Sequence, residues 1–223
     1  MKQLLSLVLT VAALSSAAAA PPPGAVAAWD PANSEPRGDS VAILDAIGGN
    51  DLLVGPNSGC SIVDDPKGGG KRVLKFEGVE GEPGVGISAP KPFVGEADWC
   101  IRLRAMPLDG GVKYQTLLDL FRIELRYDAL NEKLSLIAYP NASGLVGGTV
   151  AVSLLRDQWS EVVASLKGKE LNLRVGEQTA TFEIPESGLF DNFKLPVRVG
   201  NRGAEGGRPF TGMVSDISFG EPE

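Results

Sequence analysis

Apolar and polar residues alternate along this chain in short runs, and the runs end at glycine, proline, asparagine or aspartate. A period of two marks half-buried strands, and no useful length of sequence keeps the 3.6-residue period of an amphipathic helix. In Ala97–Met106 (ADWCIRLRAM), Trp99, Ile101, Leu103 and Ala105 share one face, while Asp98, Cys100, Arg102 and Arg104 share the other. Arg72–Gly78, Gln158–Gly168, Leu171–Val175 and Pro196–Gly200 read as strands in the same way. One apolar and one wet face per strand is the pattern of an antiparallel sandwich.

The stretch Phe121–Tyr139 (FRIELRYDALNEKLSLIAY) tests that reading, because Glu124, Asp128 and Glu132 recur every four residues. On a helix they would form one acidic stripe. However, Phe121, Ile123, Leu125 and Tyr127 alternate with Arg122, Glu124, Arg126 and Asp128, and the alternation resumes at Leu134, Leu136 and Ala138. The pattern predicts a hairpin about an Asp128–Glu132 turn, with Glu124 and Asp128 on one strand face and Glu132 in the turn. Such segments sum to roughly twelve to fourteen strands. The 28 glycines and 16 prolines supply turns and blunt the edges. No solenoid or propeller repeat is visible, and Gly78–Gly86 and Gly200–Pro209 read as long loops within one domain.

The N-terminus bears on the compartment. Residues 1–19 carry one charge at Lys2, an apolar run from Leu4 to Leu14 and small residues after it, the layout of a secretory signal peptide. An Ala-x-Ala site at Ala17–Ala19 predicts cleavage before Ala20 and a secreted or periplasmic protein of bacterial style. Residues 20–24 then form a stiff Pro-rich leader, and 25–223 the domain. The net charge of −7, with no Lys/Arg block, argues against nucleic acid as a partner, and no second apolar stretch predicts a membrane span. In an oxidising compartment the two cysteines, Cys60 and Cys100, are expected to pair. The bridge would close a loop of about 40 residues and contribute on the order of 4 kcal/mol.

Several landmarks then fall in a recognisable order. VAAWDPANSEPRGDS and GGNDLLVGPN come first, followed by GKRVLKFEGVEG and FVGEADWCIRLRAMP. The hairpin region YQTLLDL–FRIELRYDALNEKLSLIAY is next, then DQWSEVVASLKGKELNLRVGEQ and VRVGNRGAEGGRPFTGMVSDISF. The series resembles a laminin G-like domain of the concanavalin A-like lectin/glucanase superfamily, over nearly all of residues 25–223. The resemblance implies an all-β jelly-roll sandwich of two curved antiparallel sheets, with the last strand paired near the first.

The superfamily includes glucanases and lyases, so catalysis has to be weighed. Retaining glucanases of this fold carry E-x-D-x-x-E with carboxylates about 5 Å apart, a spacing missing here. RIELR (Arg122–Arg126) resembles the R-T-E-L-R strand of alginate lyases, but those enzymes also need a Q-I-H strand and this chain has no histidine. The same lack removes Ser-His-Asp and Cys-His machinery and His-containing zinc sites. PKGGGKR (Pro66–Arg72) lacks the upstream Gly and the Ser/Thr of a P-loop. Calcium stays open, since it takes oxygen ligands only; the resemblance would place a structural Ca²⁺ at Asp30 and Asp216, and no other cofactor is required.

For sugars, the family positions of Trp29, Trp99 and Trp159 predict burial, which leaves Tyr114 and Tyr139 as stacking candidates. The polar face bearing Arg102, Arg104, Arg122, Glu124 and Arg126 is a candidate surface for an acidic glycan. RGD (Arg37–Asp39) and the NAS sequon (Asn141–Ser143) read as loop. The expectation is an exported, non-catalytic module binding carbohydrate or a cell-surface ligand. A structural or assembly protein gripping a protein partner is the alternative, and a divergent hydrolase or lyase the second.

Overall fold

A computed structural model describes residues 20–68, 70–78, 86–89, 93–95, 98–120, 123–139, 148–184, 193–195, 197–202 and 207–222. Among them lie eighteen strands and no helix, hence no helix long and apolar enough to cross a membrane. In chain order the first six are β1 (Ala25–Arg37), β2 (Ser40–Asp45), β3 (Leu52–Val54), β4 (Cys60–Asp64), β5 (Arg72–Glu77) and β6 (Ile87–Ser88). Next come β7 (Phe93–Gly95), β8 (Trp99–Pro107), β9 (Tyr114–Asp119), β10 (Ile123–Asp128), β11 (Lys133–Ala138) and β12 (Gly148–Ser153). The last are β13 (Ser160–Lys167), β14 (Glu170–Val175), β15 (Gln178–Glu183), β16 (Phe193–Leu195), β17 (Arg198–Val199) and β18 (Thr211–Gly220). The sequence expectation ran to fewer strands because elements such as β6 and β17, two residues each, are too short to show a period.

All pairings are antiparallel, in the order β12-β11-β10-β9-β17-β6-β3-β2-β1-β18-β8-β13-β14-β15, with β5 joining β18 to β4 and β16 pairing β7. The ladder folds over on itself as a jelly-roll sandwich. One layer holds β12-β11-β10-β9-β17-β6-β3, and the other holds β18-β8-β13-β14-β15 with β5 and β4. The last strand pairs with the first, Trp29 lying opposite Ile217. β1 also pairs with β2, and its register shifts between Trp29 and Ser34, where the chain turns from one layer toward the other.

Alternation fills the space between the layers. Ile123, Leu125 and Tyr127 of β10 join Trp99, Ile101, Leu103 and Ala105 of β8 and Val162, Ala164 and Leu166 of β13 in one core. Burying each large apolar side chain stabilises the fold by about 1.5–3 kcal/mol. Trp29 reaches the core with its indole satisfied, because Nε1 donates to the Asn50 carbonyl at 2.7 Å. The loop that presents this carbonyl is organised by Asp45, whose carboxylate accepts from the backbone N–H groups of Ala28, Ile47, Gly48 and Asn50. Gly48 is needed there, since a Cβ would meet the Val26 carbonyl at 2.9 Å.

The predicted hairpin is present, with Ile123 opposite Ala138 and Asp128 opposite Lys133. Asp128 holds its turn by accepting from Leu130 N and Asn131 N and Nδ2, and Glu132 takes a φ of 50°. Trp29 and Trp99 are buried as expected. Trp159 is not a core residue. Even-numbered residues of β13 point inward, so position 159 falls on the outward face. There it is half-buried beside Val73, Met106 and Met213, and its Nε1 donates to Asp65 Oδ1 at 3.2 Å.

The expected disulfide is contradicted, for a reason of register. Cys60 lies opposite Phe76, Phe76 opposite Gly212, and Gly212 opposite Pro107, seven residues along β8 from Cys100. Three strand spacings and seven residues put the cysteines on the order of 25 Å apart, whereas a bridge needs Cα atoms within about 7 Å. Cys60 packs against the core, and burial pushes its thiol up to about 12. Thiol titration of the denatured, unreduced protein should therefore count both cysteines, with native Cys60 alkylating slowly at neutral pH. A disulfide-bonded monomer would overturn the register described.

Candidate functional site

β10 sits between β9 and β11, and sending Ile123, Leu125 and Tyr127 into the core turns Glu124, Arg126 and Asp128 outward. The register sets Ile137 of β11 and Asp119 of β9 beside Glu124, and Arg198 of β17 beside Asp119. A bulge between Leu125 and Arg126 brings Thr116 opposite Arg126, a re-aiming of side chains that bulges commonly produce. Arg208 follows from the backbone too, since its carbonyl accepts from Thr116 N at 2.8 Å and docks the segment 207–210 beside β9.

Although Glu124 points away from the core, it is only 1% exposed, because donors roof it. Its Oε1 accepts from Thr116 Oγ1 at 2.8 Å, Arg126 Nε at 3.2 Å and Arg208 Nη1 at 3.2 Å. Its Oε2 accepts from Arg126 Nη2 at 2.5 Å and the Tyr139 hydroxyl at 2.9 Å, with Arg208 Nη1 at 3.4 Å. Arg126 Nη2 also donates to the Tyr139 oxygen at 2.5 Å, and the Arg202 guanidinium lies 5.6 Å from the Tyr139 ring centre. Burial pushes the Glu124 carboxyl up, but the hydrogen bonds from Arg126, Thr116 and Tyr139 and the Arg126 charge outweigh it and hold the group down at about 2. Burial and the neighbouring Glu124 charge raise the Tyr139 phenol, so the hydroxyl keeps its proton and donates it to the carboxylate as a hydrogen bond. Glu124 is thus an ionised anchor with both oxygens engaged, and its chemistry is to fix two guanidinium groups and a phenol in place.

The structure divides the single polar face expected from the sequence. Glu124, Arg126 and Tyr139 come together, whereas Arg102 and Arg104 lie on the outward face of the other layer. Both β8 and β10 send their apolar alternates into the shared core, so their polar alternates must point in opposite directions. Tyr114 is 43% exposed on the same outward face as Thr116, at its far end, with Lys113 Nζ 4.7 Å over its ring. Arg122 and Asn141–Ser143 lie outside the described residues.

Arg102 and Arg104 line a cavity of about 450 Å³ with Asp30, Asp216, Glu161, Pro21 and Pro22. Both residues proposed for calcium are therefore in one cavity. Asp216, however, is matched by cations, Lys71 Nζ at 3.5 Å and Arg104 Nη1 at 3.6 Å. No group of three His, Cys, Asp or Glu is placed to hold a metal among the described residues. Thr116, Arg208 and Arg202 were not anticipated. Arg208 stands 84 residues from Glu124, and only the docking of 207–210 beside β9 joins them.

No family model matches the chain, and no curated protein matches its sequence. Solved structures do. A Trypanosoma rangeli sialidase in complex with 2,3-difluorosialic acid (covalent intermediate) matches at TM-score 0.61 and 16% identity over 92% of this chain and 32% of that one. Domain 4 of AbnA, a GH43 extracellular arabinanase from Geobacillus stearothermophilus in complex with arabinotriose, matches at TM-score 0.62 and 12% identity, covering 89% of this chain and 92% of that one. Mouse laminin α1 chain domains LG4-5 reach only TM-score 0.45 at 18% identity, over 57% of this chain and 36% of that one, too weak a likeness to carry an argument. This chain spans about a third of the length of the sialidases, and identities this low show the shared fold alone.

One expectation is corrected here. The sequence pointed to a non-catalytic chain, but the same fold recurs within sialidases, including one solved as a covalent intermediate. The fold is therefore no ground for excluding catalysis.

The depressed Glu124 value has a definite sign. Its ionised form is favoured by folding, so its contribution of about 3 kcal/mol is present above pH 4.5 and lost as pH falls toward about 2. Chemical denaturation should find Glu124→Gln less stable than the parent by about 3 kcal/mol at pH 7, with the gap narrowing through pH 4.5 to 2. Parallel pH profiles for the two proteins would contradict the anchoring role.

Proposed function

We propose that this chain binds carbohydrate on the outward face of β9, β10 and β11, with Arg126 and Tyr139 as contact groups held by Glu124. The observation that carries the reading is the buried Glu124 carboxylate beneath partly exposed donors. Taking an ion out of water costs several kcal/mol before its partners offset it, and a face that merely met solvent would gain nothing from it. Fixed, convergent polar groups are what a ligand-binding face requires. They lower the entropy cost of grasping hydroxyl-rich ligands.

The dimensions agree with an extended ligand. Tyr114 lies opposite Asp128 and Tyr139 follows the Ile123–Ala138 pair, so the two residues stand about 20 Å apart along the strands. That span suits several linked sugar rings and supplies an aromatic at each end. The arabinanase domain of similar fold is solved with arabinotriose, which supports a glycan as the ligand class. The proposal includes export. Cleavage before Ala20 would leave a Pro-rich leader and a laminin G-like domain over residues 25–223, delivered to where extracellular glycans are met.

Calorimetric titration against a panel of neutral and acidic oligosaccharides tests this. At least one should bind, and Arg126→Ala should bind it about tenfold or more weaker while still unfolding cooperatively. Failure of every oligosaccharide to bind, or full affinity in Arg126→Ala, would overturn the reading.

A further inference from the structure

The charges and hydrogen-bond edges left over on this face specify more than sugar hydroxyls. Four arginines gather there among the described residues: Arg126 and Arg208 on Glu124, Arg202 over the Tyr139 ring, and Arg198 beside Asp119. Among the described residues two carboxylates, Glu124 and Asp119, face them, which leaves a surplus of positive charge there on a chain whose net charge is −7. Among the described residues no carboxylate is paired with the guanidinium of Arg198 or Arg202.

The geometry of the arginines is as telling as their number. Arg126 spends Nε and Nη2 on Glu124, whereas Arg208 approaches it only through Nη1. Among the described contacts the Nε–Nη2 edge of Arg208 makes none, and that planar edge is the fork that grips a carboxylate with two parallel bonds. Arg208 is 30% exposed at its side chain and Arg202 is exposed. An incoming anion would thus meet Arg208 pre-oriented by Glu124, with Arg202 held over the neighbouring Tyr139 ring.

We infer that the ligand is an acidic glycan, with a sugar carboxylate seated on Arg208 and Arg202 beside the Glu124–Tyr139 anchor. This rests on the carbohydrate reading above and adds the chemical class of the sugar. The surplus is local and small, so it suits carboxylates spaced one per sugar ring. A densely charged polynucleotide would be repelled by the remainder of an acidic chain.

Matched pairs that differ in charge at the carboxyl group provide the test: tetragalacturonate and its methyl ester, alginate tetramers and their carboxyl-reduced form, and sialyllactose and its carboxyl methyl ester. Binding is measured at low salt and at about 0.2 M salt, where exposed charges are screened beyond about 8 Å. At least one acid should bind about tenfold or more tighter than its neutral partner. The advantage should shrink with salt, and the acid-to-neutral affinity ratio should fall about tenfold in Arg202→Gln, an exposed position that leaves the core intact. Equal affinity within every pair, with binding lost in Arg126→Ala, would overturn the acidic-sugar inference and leave carbohydrate binding standing. An acid preference untouched by Arg202→Gln and Arg208→Gln would overturn its placement on this face. No binding to any member would overturn the carbohydrate reading itself.

Discussion

Two sheets share one core, and that constraint governs everything else in the molecule. Every long strand must give one set of alternates to the common interior, so the polar set is forced outward, in opposite directions for the two layers. Parity therefore assigns each side chain. Glu124 and Arg126 go to one outer face, and Arg102 and Arg104 to the other. Trp159 falls outside because its odd number opposes Val162, Ala164 and Leu166. The candidate site is a consequence of packing before it is a matter of chemistry.

On this scaffold Glu124 does something a surface carboxylate does not. Four donor groups enclose it, and two of them, on Arg126 and Arg208, arrive from segments 82 residues apart. The attraction must outweigh the cost of desolvating the carboxylate, and its depressed protonation shows that it does. The result is a preorganised cationic patch on an acidic protein, suited to orient an anionic ligand and to draw it in.

Much of this was legible in the chain, and its limits are physical. Alternation alone identifies β8, β10, β11 and β13, and it dissolves the apparent acidic stripe of Glu124, Asp128 and Glu132 into a hairpin. The parity of β13 also puts Trp159 outward, against the core position that the family resemblance implies for it. Pairing across the ladder is what alternation leaves out. Arg208 reaches Glu124 because 207–210 docks beside β9, and Cys60 is held away from Cys100 by three strand spacings. The bulge opposite Leu125 and Arg126, which sets Thr116 under the carboxylate, leaves no composition signal at all.

The central claim is that ligand meets the Glu124 face and not the Arg102–Arg104 cavity on the opposite sheet. Chemical-shift mapping of the labelled protein with a bound oligosaccharide separates the two directly. The account predicts that the largest shifts fall on Thr116, Arg126, Tyr139 and Arg208. Shifts concentrated on Arg102, Arg104 and Asp216, with the Glu124 face silent, would contradict it.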